Sequence, residues 1–98
     1  MEKILRVIIS KLNRAERERA YHRELLLCTN IPDFEHDYHE RQAFVSLVKK
    51  AELLGILREC GVKCKETMRY NVEISDDKLE ALTVEYLTDY EIIDSESV

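Results

Sequence analysis

Two short runs hold the side chains best suited to chemistry. The first, Asp33-Phe34-Glu35-His36-Asp37-Tyr38-His39-Glu40, sets His36 four residues from Glu40 and Glu35 four from His39. Residues four apart share a helix face, and imidazole with carboxylate is a common transition-metal ligand set. The second, Cys60-Gly61-Val62-Lys63-Cys64, supplies two thiols. Together, His36, His39, Cys60 and Cys64 are four ligands of the right type for structural zinc. Neither run has a familiar metal-binding spacing, however. The acids of the first run suit the N-terminus of a helix, where they complement its dipole. The expectation is that no metal or other cofactor is bound, with the four-ligand zinc site as the alternative.

Catalytic apparatus is otherwise hard to find. The sequence has no Gly-rich phosphate loop and no serine in a nucleophile-elbow setting. Only Lys63 and Lys65 flank Cys64 as groups that favour a thiolate. The chain is therefore read as a non-enzyme.

Charge carries the remaining functional signal. Residues 1–30 have a net charge of +3, residues 31–65 of 0 and residues 66–98 of −8, which gives −5 for the chain. Sign asymmetry of this kind bears on partners more than on fold. The acidic third points to a docking surface for another protein with a basic surface, made by Glu80, Glu85, Tyr86, Asp89, Tyr90 and Glu91. Spaced carboxylates imitate phosphates and steer a basic partner. Small phage-type inhibitors of nucleic-acid-binding proteins use the same device, by analogy of kind only. A second reading is a nucleic-acid-binding regulator using Arg14, Arg17, Arg19 and Arg23. Interleaved Glu16, Glu18 and Glu24 weaken it, since Arg14 and Glu18 are spaced to pair.

The elements that must position these residues follow from hydrophobic periodicity. Ninety-eight residues, 45% of them hydrophobic, make one domain with one core. Two glycines and one proline are too few for an all-β architecture. Residues 3–9 fit either a strand or the first turns of a helix. Asn13 and Glu16 read as a capping box opening a helix from Arg14 to Cys28. Asn30 and Pro32 break the chain, and Asp33 is placed to cap a long helix that Gly61 ends. Its wide apolar face makes that helix the expected core, with Leu47 and Leu54 inside it. Residues 67–74 alternate as a strand. Residues 77–93 show a helical stripe through Leu79, Leu82, Tyr86, Tyr90 and Ile93, although 90–93 also suit a short strand. A lone strand needs a partner, sought in residues 3–9, residues 90–93 or a second copy of the chain. The expected fold is thus a helix-dominated α+β domain with a short sheet over residues 1–98, and residues 94–98 form a frayed acidic tail. An all-α bundle is the alternative. Odd cysteine number, an immediately charged N-terminus and no apolar run near 20 residues point to a cytoplasmic protein with reduced thiols. A homodimer through residues 67–74 or the C-terminal segment is compatible with this pattern.

Overall fold

The computed structural model describes residues 2–27, 31–74 and 82–95. Two long helices, α1 (Glu2–Leu26) and α2 (Asp33–Glu59), are followed by two strands, β1 (Val62–Ile74) and β2 (Leu82–Ser95). The strands pair antiparallel as a two-stranded sheet. This is the helix-dominated α+β domain expected from the sequence, and the all-α alternative falls away. No helix among the described residues is long and apolar enough to cross a membrane.

Residues 3–9 are helical and continue into the rest of α1 without a break. The reason is a pair of adjacent stripes along one helix. Ile8, Leu12, Ala15 and His22 lie on one face and meet α2 or its C-terminal end. Ile9, Asn13, Glu16, Ala20 and Glu24 form the neighbouring stripe and meet β2. α1 is therefore the central element, and its two stripes together span the wide face that a doubly covered helix requires. Asn13 and Glu16 lie within α1, not at its start, so the capping box predicted there does not form.

α2 begins without a side-chain cap. The Pro32 carbonyl accepts the N–H groups of Glu35 and His36, each at 3.0 Å, and Asp33 is the first helical residue. Its acids still occupy the first turn, where the dipole favours them. The helix ends as the sequence indicates. Gly61 takes φ 73° and its N–H reaches the Arg58 carbonyl at 3.1 Å, a left-handed stop that glycine adopts at no steric cost.

The core does not sit on α2, contrary to expectation. Only Ser46 and Leu57 of that helix are buried. Leu47 is 49% exposed, and Leu54 is half-buried at the edge of a cluster. The apolar face of α2 is wide because it has two halves. The half carrying Ser46, Lys50, Leu53 and Leu57 meets α1, while Phe44, Val45 and Val48 face away from it. Two clusters make up the interior. Leu5, Leu12, Leu57, Val62 and Tyr90 form one near the start of α1; Ala20, Tyr21, Ile74, Val84 and Leu87 form the other near its end.

The segment read as a C-terminal helix is strand from Leu82 onward; residues 75–81, with Leu79 and Glu80, lie outside the described residues. Its composition explains the difference. Thr83, Val84, Tyr86, Thr88, Tyr90, Ile92 and Ile93 are β-branched or aromatic and suit a pleated surface. Pairing with β1 also satisfies two backbones at once. Helical spacing among five residues was weaker evidence than the partner β1 demanded.

Candidate functional site

β2 approaches α1 with its edge. The Asn13 carboxamide accepts the Tyr90 N–H at 2.8 Å through Oδ1 and donates through Nδ2 to the Tyr90 carbonyl at 3.1 Å. It reproduces the two bonds of a neighbouring strand. Glu16 accepts the Thr88 N–H at 3.0 Å, and Glu24 accepts the Glu85 N–H at 3.2 Å. The helix thereby covers an edge that would otherwise be open to pairing.

Glu16 is the hub of this contact, at 1% exposure. Arg19 donates to both its oxygens, at 2.6 and 3.1 Å, and Lys50 of α2 donates at 3.2 Å. Burial alone pushes the Glu16 carboxyl up, but the hydrogen bonds from Arg19 and Thr88 and the two cations hold it below its ordinary value. The Arg19 guanidinium is raised by its hydrogen bond to Glu16, against the opposing effect of burial. Burial lowers Lys50, but Tyr90 and Glu16 together leave it raised. Arg19 also lies 5.9 Å from the Tyr86 ring centroid and Lys50 lies 5.3 Å from that of Tyr90. The arrangement locks three elements together.

The residues expected to bind a basic partner are divided by this architecture. Tyr90 is 5% exposed and belongs to the core, so it is no surface anchor. Tyr86 is half-buried against Arg19. Asp89 accepts from Arg69 of β1 at 2.6 Å, and Glu91 sits across the ladder from Lys65. Glu85 and Glu91 are exposed. Asp89 and Glu91 are thus offset by basic residues of β1, one diagonal and one directly opposite, an arrangement that pairing alone could reveal.

The four arginines do not form one basic face either. Arg19 is buried with Glu16, and Arg14 pairs with Glu18 at 3.3 Å. Arg17 and Arg23 are exposed, about 120° apart around α1. The proposed zinc ligands are separated as well. His36 and His39 lie in the first turns of α2, whereas Cys60 and Cys64 follow its end, about 36 Å away along the axis. His39 instead meets His22 of α1, Nδ1 to Nδ1 at 2.8 Å, with Tyr21 and Tyr38 edge-on to the His22 ring. Burial and the nearby Glu66 charge push the Cys64 thiol up, away from the thiolate. His36, Asp37 and Glu40 do converge, but all three are exposed. Cys28 lies outside the described residues.

Sequence periodicity missed the most accessible feature of the sheet. From Lys65 to Asn71, β1 is exposed on both faces. Because the N–H groups of Thr88 and Tyr90 point to α1, they point away from β1. Antiparallel geometry makes these non-hydrogen-bonded pairs with their register partners Met68 and Glu66. The backbone groups of Met68 and Glu66 therefore point outward along the free edge of β1. Met68 and Tyr70 are 55% and 68% exposed, and the Tyr70 hydroxyl donates to Met68 Sδ at 3.2 Å. The signal that could have found this edge is the even-numbered set Glu66, Met68 and Tyr70, which mixes apolar and charged residues on one strand face.

No family model matches the chain, and neither a curated protein nor a solved structure matches it.

Proposed function

We propose that this chain is a non-catalytic regulatory module that binds another protein by strand addition at the free edge of β1. The observation that carries this reading is the 13-residue β1 itself, exposed on both faces between Lys65 and Asn71, with an outward-facing backbone at Glu66 and Met68. An extended partner segment gains its affinity there from main-chain hydrogen bonds and its specificity from alternate side chains. Glu66, Met68 and Tyr70 share one face, so the fitting segment alternates apolar residues with a lysine or arginine opposite Glu66. The exposed Glu85 and Glu91, within an acidic chain, add longer-range steering toward a basic partner.

The test is a pair of proline variants used as bait in an extract of the native host. Met68→Pro removes an N–H that faces outward and leaves the β1–β2 ladder intact, because edge strands tolerate proline at such positions. Arg69→Pro removes an N–H that bonds β2 and serves as the unfolding control. We expect Met68→Pro to lose the captured protein while its circular dichroism stays that of the parent. Glu66→Lys should weaken capture, and salt should weaken it further. Retention of the same partner by a folded Met68→Pro would exclude strand addition.

A further inference from the structure

α2 carries a second stripe beside the one that meets α1. Tyr38, Arg41, Val45, Val48, Glu52 and Gly55 follow one another at spacings of 3, 4, 3, 4 and 3, the repeat of a coiled-coil seam. Tyr38, Val45 and Val48 are 54%, 42% and 40% exposed, and Phe44 beside them is 66% exposed. Two of its residues reach α1, Tyr38 edge-on to His22 and Glu52 in a groove shared with Lys11 and Arg14, while Val45 and Val48 between them stay exposed.

Gly55 adds an independent observation. A Cβ built there meets no atom within 4 Å. Glycine inside a helix costs about 1 kcal/mol relative to alanine, and the isolated chain gains nothing in return. A close approach by a second backbone is the usual use of such a position.

We propose that α2 pairs antiparallel with α2 of a second copy across this seam, giving a two-fold symmetric dimer. The seam is self-complementary when residue positions facing each other sum to 93. Val45 then meets the second copy's Val48, Arg41 meets its Glu52, and Tyr38 lies over its Gly55. On one flank, where the nearest positions sum to 95, the large Phe44 lies beside the small Ala51 and Asp37 beside Arg58. Each pair occurs twice, as an isologous interface requires. Arg41 and Glu52 have no ion-pair or hydrogen-bond partner within the chain among the described residues, which leaves both available for the second copy. The interface lies on α2, and its C-terminal flank comes near β1, where Arg58 and Glu66 line one groove.

Sedimentation equilibrium of the purified chain between about 1 and 100 µM tests the proposal, with helicity followed by circular dichroism. The parent chain should sediment as a dimer. Val45→Glu with Val48→Glu should give a folded monomer, since both side chains are exposed in the single chain. Arg41→Glu should weaken the dimer by about tenfold or more, and Arg41→Glu combined with Glu52→Arg should restore it. A monomeric parent at 100 µM overturns the proposal. So does a dimer that survives Val45→Glu with Val48→Glu. A dimer abolished by that pair but unaffected by Arg41→Glu overturns the antiparallel register.

Discussion

Asn13 stands where a third strand would place a peptide group, and its exchange of two hydrogen bonds with Tyr90 makes it sensitive to small chemical changes. Asn13→Ala leaves the Tyr90 N–H and carbonyl without partners at a part-buried site. Each orphaned group costs about 1–3 kcal/mol, so urea denaturation should show a loss of roughly 2–4 kcal/mol. Asn13→Asp keeps the acceptor for the N–H but sets a carboxylate oxygen against the carbonyl, and should also destabilise. Glu16 is the second residue of this kind. Its folded pKa lies below its ordinary value, so its contribution is complete above the unfolded pKa and is lost as pH falls through the folded one. Arg19 and Lys50 are shifted upward, so theirs is present at neutral pH and is lost only in strong alkali. Stability should therefore fall as pH drops below about 4–5. Glu16→Gln should flatten that dependence and, by leaving Arg19 and Lys50 without their carboxylate, cost about 3–5 kcal/mol at neutral pH. Thermal melts of both proteins from pH 3 to 7 measure both effects. The sequence named both residues but misplaced their partners. Asn-x-x-Glu is a capping signature when it bonds the backbone of its own helix start; here the backbone groups it bonds are 72 to 77 residues away on β2, a distance no local pattern encodes.

At the scale of the elements, the legible features were those set by local chemistry. Pro32 and Gly61 bracket α2 as expected because one blocks a helix and the other ends it through its own backbone. The alternation of residues 67–74 marked β1, although the strand extends back to Val62. What stayed hidden was set by pairing. Residues 82–93 offered both a helical stripe and an alternation of Leu82, Val84, Tyr86, Thr88, Tyr90 and Ile92, and only β1 decides between them. The breadth of the apolar face on α2 was legible, but its division into an inner and an outer half was not. That division gives a direct comparison. Leu57 is 1% exposed and Leu47 49% exposed. Leu57→Ala should cost about 2–5 kcal/mol as a cavity in the first cluster. Leu47→Ala should stay within about 1 kcal/mol, near the range of surface changes. Equal losses for the two in chemical denaturation would mean that the outer half of α2 is covered as the inner half is.

The molecule as a whole extends 50 × 23 × 20 Å, with its two apolar clusters strung along α1 and the Glu16 hub between them. An elongated chain of this size shields little of its apolar surface, and α2 leaves a seam of large side chains uncovered. If a second copy supplies the missing cover, folding and association are linked, and the apparent stability depends on concentration. The melting temperature of the parent chain should rise with concentration across the micromolar range. Gly55 sharpens this expectation because its substitution acts in opposite directions on the two species. In the monomer, Gly55→Ala removes the entropic cost of a helical glycine and meets open space, so it should stabilise by about 1 kcal/mol. In the dimer, the added methyl lies where Tyr38 of the second copy packs, and it forces the helices apart. The variant should therefore melt above the parent at low concentration, where monomer dominates, and lose that advantage as concentration rises. Differential scanning fluorimetry over a hundredfold dilution series reads both limits. A Gly55→Ala curve that runs parallel to the parent and above it at every concentration would place the glycine outside any helix–helix contact, leaving its cost in α2 without a structural return.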